Sequence, residues 1–213
     1  MARESPPVSV RRAVIFGAPL LAYVAAVLHP EDVVFGEDPW PFIAVHLAFM
    51  AIICLLAWMV VFLVDGLDGA AAAAARILTI PFAVAYATYT AFGGVAVGAF
   101  VWKVNELPAG EQQSAAELVH SVSHSTLVRP FYPVASLLWL AAMLAVVVAL
   151  RRRAPLPALA LVAVGSAAFA WSHVSPWGPA GMAAVLAGVV WLELRRTPVA
   201  GPVQHEWARS DSS

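Results

Sequence analysis

Apolar residues in this chain gather into long runs divided by short polar breaks, with little of the strict alternation that marks strands. Runs near 20 residues match the ~30 Å hydrocarbon thickness of a bilayer at ~1.5 Å per helical residue. The pattern predicts six membrane-spanning helices, at about residues 12–28, 41–64, 76–102, 131–150, 155–172 and 179–194. The alternation over ~10 residues expected of an outer-membrane barrel is absent. The first run, Ala13 to Leu28, ends at His29-Pro30 and is short. It also has the form of a signal peptide, with Ala22-Tyr23-Val24 or Val24-Ala25-Ala26 as a poor cleavage site and a loose twin-arginine start. The distribution of charge argues for an uncleaved helix. Asp65-Gly66-Leu67-Asp68-Gly69 reads as a turn, because Gly and Asp tolerate tight backbone. Gly94 and Gly98 form a GxxxG pattern in the third run; such small residues let helix backbones approach closely, here most simply inside the bundle.

Residues 103–130 form the longest hydrophilic stretch. Within it, Glu111 to Thr126 has helical periodicity: Ala115, Leu118, Val119, Val122 and Thr126 share one face. Glu117, His120 and His124 share the other, three and four residues apart. This predicts an amphipathic helix at the membrane surface, apolar face in lipid and polar face in water.

Basic residues fix the orientation. With both ends inside, the cytoplasmic side holds Arg3, Arg11, Arg12, Arg76, Arg151, Arg152, Arg153, Arg195, Arg196 and Arg209, and the outer side only Lys103 and Arg129. The positive-inside rule therefore predicts a multi-pass plasma-membrane protein, N-in and C-in, with cytoplasmic tails at residues 1–11 and 197–213 and a membrane domain over 12–196. Trp40, Trp102, Trp171 and Trp177 then mark the outer interface and Trp191 the inner one, as an aromatic belt requires.

Composition supports the same class: 62% of residues are hydrophobic and 12% charged, against roughly 45–50% and 25% in soluble domains. The fold class expected is all-α, a polytopic transmembrane helix bundle with the lipid bilayer as solvent and a membrane-protein partner or homo-oligomer as a further option. Net charge is −1 with no basic stripe, so nucleic acid is not an expected partner. One cysteine, Cys54, cannot make an intramolecular disulfide or a CxxC site.

The histidines carry the most chemistry. Of six, only His205 falls on the cytoplasmic side. His29 ends the first span, His173 ends the fifth, and His46 lies ~8 Å below the outer boundary of the second. A polar ring in the run Ile43 to Phe49 has to find a partner within the bundle, because lipid offers none. With Glu31, Asp32, Glu37, Asp38, Glu106, Glu111 and Glu117 on the same side, the histidines outline an outward metal or proton site; imidazole and carboxylate suit zinc, copper or iron. The leading set is His46, His173 and His29, for a divalent metal ion or, through a histidine pair, haem. A weaker alternative metal set is His120, His124 and Glu117. The bland reading of all of these is helix capping and interfacial hydrogen bonding.

No Lys, Arg, Asp or Glu falls mid-span, and Glu193 sits at the inner end beside Arg195. Pumps and voltage sensors usually need buried charge. P-loop, GxSxG and HExxH motifs are missing, so no catalytic residue is assigned and an enzyme is the less favoured option. Thr79, Tyr86, Thr88, Tyr89 and Thr90 give the third span a hydroxyl-rich stretch.

Leu28-His29-Pro30, the segment Trp40 to Leu47 and the segment His173 to Pro179 resemble uncharacterised small polytopic membrane proteins of high-GC Gram-positive bacteria. The Ala- and Arg-rich, Lys-poor usage is similar too. The resemblance implies a multi-helix membrane fold at the plasma membrane and no particular activity. Three functions are therefore expected in order: a metal- or haem-binding module using His46, His29 and His173; a structural or accessory subunit of a membrane complex; a small-solute transporter.

Overall fold

The computed structural model describes residues 7–195 apart from 31, 34, 126 and 127. Arg3, Glu31, Thr126, Arg196 and the expected C-terminal tail, with His205 and Arg209, lie outside the described residues. Of the expected N-terminal tail 1–11, residues 8–11 are not a tail but the first turn of a helix that starts at Val8.

The described residues are all-helical, with no strand. In chain order the helices are α1 (Val8–Val27), α2 (Trp40–Leu63), α3 (Ala70–Asn105), α4 (Ala109–Ser123), α5 (Phe131–Leu150), α6 (Leu156–Trp171) and α7 (Trp177–Arg195). Five of them, α1, α2, α3, α5 and α7, are long and apolar enough to cross a membrane. The remaining apolar helix, α6, has 16 residues, about 24 Å at ~1.5 Å per residue. It stops where Ser172 turns to extended backbone (φ −155°, ψ 129°), so it is shorter than the apolar run that encodes it.

The six apolar helices close into a ring. Each packs on the next, α1 on α2, α2 on α3, α3 on α5, α5 on α6 and α6 on α7, and α7 returns to pack on α1. Large side chains fill the interior, among them Phe49, Phe82, Trp139 and Phe169. Small residues allow the tightest seam: a Cβ on Gly165 would strike the Gly181 carbonyl, and one on Gly181 the Gly165 carbonyl, so α6 and α7 meet backbone to backbone. Trp40, Trp102, Trp171 and Trp177 are exposed near helix ends on one side of the bundle.

Helix α3 is longer than its apolar run. It begins in the alanines at Ala70, after Gly66 and Gly69 at positive φ (68° and 105°), a backbone region that glycine adopts without steric cost. Arg76 turns back to donate to the carbonyls of Val64 (2.7 Å) and Leu67 (2.9 Å), closing that turn. Residues Thr90–Ala96 form a π-helical segment. Phe82, Tyr86, Thr90, Gly94 and Gly98, spaced by four, are all buried. A regular α-helix would rotate each by about 40° from the last; the wider π turn offsets that drift and holds the stripe inward.

The two ends of the bundle differ in chemistry. The described arginines 11, 12, 76, 151, 152, 153 and 195 share one end, fixed by the antiparallel order of the helices. There Arg11 and Glu193, 182 residues apart, form a two-pronged pair at 2.7 and 3.0 Å, and Arg11 also reaches the Phe62 carbonyl. Their side chains are 14% and 3% exposed. The pair ties α1 to α7 and closes the ring. Glu193→Ala strands the Arg11 guanidinium in a place water barely reaches. It is expected to cost roughly 3–5 kcal/mol, read as a lowered midpoint of unfolding in denaturing detergent. A midpoint equal to the parent protein's would contradict the role given to this pair.

Candidate functional site

The opposite end carries the histidines. His29 follows α1 directly, His46 is two turns into α2, and His173 lies in the link from α6 to α7. Ring closure brings these three stations together, because α1 touches both α2 and α7. The His29 ring centroid is 4.7 Å from that of His46 and 5.1 Å from that of His173, both edge to face. All three are buried, at 8%, 4% and 7% exposure. Each offers a nitrogen within 4.8 Å of the other two, and no other group of three or more potential ligands is this close among the described residues.

Local features hold each ring in place. His46 Nδ1 donates to the Phe42 carbonyl one turn earlier, at 2.7 Å. His29 Nδ1 donates to the Pro30 carbonyl. Gly94, in the π segment, leaves room for His46: a Cβ there would overlap the imidazole. Gly98, one step further, clears Ile43 and Phe42 in the same way. The GxxxG pattern therefore seats α3 on α2 within one chain. Gly178 does the same for His173, whose carbonyl occupies the place a Cβ would take. The loop after His29 is tied to α3 by Asn105, which accepts from the Gly36 amide and donates to the Glu37 carbonyl, both at 2.9 Å.

These bonds settle what the nitrogens can do. A carbonyl only accepts, so Nδ1 of His29 and of His46 must each carry a proton. In a neutral imidazole the other nitrogen, Nε2, then presents a lone pair. The two Nε2 atoms face one another at 3.3 Å, acceptor against acceptor. Only a proton or a metal cation between them turns that contact from repulsive to attractive. His173 adds a buried Nδ1 with no hydrogen-bond partner. Burial holds the pKa of His29 below the ordinary histidine value, against an opposing contribution from the Pro30 carbonyl. It lowers His173 too, with His29 and His46 adding to the effect. Both are therefore neutral near pH 7, the form that ligates metal.

The set has the features of a metal-binding cluster. Two nitrogens bound at ~2.1 Å to one tetrahedral ion stand ~3.4 Å apart, close to the 3.3 Å between the Nε2 atoms. A ligating histidine normally donates its other N–H to a carbonyl or carboxylate, as His29 and His46 do.

His29, His46 and His173 line a cavity of about 1300 Å³ that reaches the loops at this end of the bundle. Tyr89 and Tyr132 line it as well, beside His173 at ring distances of 6.0 and 5.3 Å. Of the other hydroxyls in the third span, Thr79 and Thr88 bond to backbone carbonyls within α3, while the buried Tyr86 hydroxyl has no partner.

Helix α4 forms as its periodicity suggests, though it stops at Ser123. Its two faces differ in their surroundings. Leu118 and Val122 are exposed, whereas His120 and His124 turn toward the same cavity. Their rings stack at 4.1 Å. Glu117 is exposed, accepts from Gln113 at 3.3 Å and belongs to no close ligand group.

Fold and site together define an all-helical bundle of apolar helices with a buried three-histidine cluster at one end. Comparison with protein-family models, with curated proteins and with solved structures returns no match to this chain.

The clearance at Gly94 generates a prediction. Gly94→Ala overpacks His46 and is expected to destabilise by ~1–3 kcal/mol. Gly17→Ala, where a Cβ meets nothing within 4 Å, gains helix propensity and is neutral or stabilising. Adding His46→Ala to Gly94→Ala recovers stability in a double-mutant cycle. Strict additivity of the two losses would show that the glycine serves some other contact.

Proposed function

We propose that this chain is a multi-pass plasma-membrane protein that binds a divalent transition-metal ion, zinc or copper, through His29, His46 and His173. The arginine-rich end faces the cytoplasm under the positive-inside rule, so the site faces outward. The observation carrying the reading is the 3.3 Å approach of two Nε2 atoms whose Nδ1 partners are already committed to carbonyls. Histidines present only to cap helices have no reason to turn their lone pairs together.

The same geometry favours an ion over haem. The three rings pack edge to face at 4.7 and 5.1 Å, and a porphyrin between two axial imidazoles would have to part them. The resemblance to small bacterial membrane proteins remains compatible with this reading and adds no chemistry to it.

The test is metal analysis of the full chain purified in detergent and loaded with zinc or copper. One ion per chain is expected to survive gel filtration. Zinc at ~100 times its Kd is expected to raise the unfolding free energy by ~2.7 kcal/mol. His46→Gln keeps a donor for the Phe42 carbonyl but removes the imidazole, and it should abolish both effects. A Soret band in the visible spectrum would replace the ion with haem. Protein that binds neither, and whose stability ignores added metal, would mean that the histidines are structural and the chain an accessory subunit.

A further inference from the structure

We propose that His120 and His124 form a second, shallower metal site at the mouth of the cavity and deliver ions from it to the buried histidines. This rests on the metal reading of His29, His46 and His173.

Helix α4 places the two residues one turn apart, with rings stacked at 4.1 Å and 30° between their planes. The His124 Nδ1 proton is directed to the His120 carbonyl at 3.0 Å. In the neutral ring this leaves Nε2 as the free donor atom. It is the arrangement already seen at His46, whose Nδ1 proton goes to the carbonyl four residues earlier. Two histidines at i and i+4 on one helix face suit a divalent ion. Unlike the buried set, both residues are exposed, so water completes the coordination shell and exchange is fast.

Position gives the pair its role. His120 and His124 line the same cavity of about 1300 Å³ as His29, His46 and His173. Asp32 and Arg129 line it too, and their opposite charges leave the imidazoles as the groups that attract a cation there. The buried set is at most 8% exposed, so an ion reaches it by way of this cavity. A hydrated divalent ion surrenders its water in two stages along the path, first to two imidazoles at the mouth and then to three inside. Each stage replaces waters by nitrogen ligands, so at no point does the ion stand bare in an apolar wall. A deeper site with more ligands holds the ion more tightly, which sets the direction of transfer.

The experiment follows zinc chloride binding to the full chain in detergent, by titration and by the rate at which metal becomes inaccessible to a competing chelator. The unaltered protein is expected to take up two ions, one tight and one weak. The double variant H120A/H124A should retain one ion and load it slowly. An ion captured at the mouth meets the inner site at an effective concentration of order mM. At micromolar zinc, its loss should therefore slow loading by ~10–100-fold. H46Q should show the converse, one weak and rapidly exchanging ion. Loading of H120A/H124A at the rate of the unaltered protein, or uptake of a single ion that this variant retains, overturns the proposal. Failure of the buried site looks different: H46Q would then bind as much zinc as the unaltered protein.

Discussion

A polar ring inside a lipid-surrounded bundle has to satisfy both of its nitrogens within the protein. His46 does so by itself at one nitrogen and not at the other. Its Nδ1 uses the Phe42 carbonyl of its own helix, a bond that needs no partner element. Its Nε2 is turned to His29 across the α1–α2 contact, at 3.3 Å. The second choice shapes the surrounding architecture. Two lone pairs at that distance are tolerable only with positive charge between them. The charge need not come from the chain: among the described residues, Arg129 is the only Lys or Arg lining the cavity. The proposed metal ion would supply that charge.

The rest of this end of the bundle is arranged around that requirement. Gly94 gives up its side chain so that His46 can occupy the space, and the π segment keeps Gly94 pointed inward. Gly178 lets the start of α7 approach the His173 carbonyl. Asn105 holds the loop after His29 by two bonds to its backbone. Each device lowers local freedom, so the three rings are placed by structure that would exist without any ligand. Preorganisation of this kind is what allows few ligands to bind well.

The sequence made some of this legible and concealed the rest for definite reasons. Helix existence followed from run length, since lipid thickness imposes it. The depth of His46 followed from counting residues along α2. That His29, His46 and His173 meet did not follow, because hydropathy is blind to the order of helices around a ring; the closure of α7 onto α1 decides it. The Gly94–Gly98 spacing announced a close helix contact but not that its partner is α2. The amphipathic pattern of α4 was readable, whereas the face it turns to the cavity was set by its docking on the end of α3. Arg11 and Glu193 are 182 residues apart, beyond any local pattern.

The contrast between the two ends explains why the cavity lies where it does. At the arginine end three charged side chains, Arg11, Glu193 and Arg76, are used to close the structure. Arg11 binds Glu193 and the Phe62 carbonyl, and Arg76 binds the carbonyls of Val64 and Leu67. These bonds tie α1 to α7, α1 to α2 and the α2–α3 turn to the start of α3, and they set the spacing of the ring from below. With that spacing fixed, the other end is free to be less densely packed. There α6 is short, the links are longer and α4 arches beside the opening, leaving about 1300 Å³ between them. A bundle held shut at one end by an ion pair and arginine–carbonyl bonds can keep a histidine-lined hollow at the other without losing its fold. That division leaves the histidine-lined hollow at the more open end, with the buried apolar residues Ile53, Leu56 and Met59 deeper in the bundle.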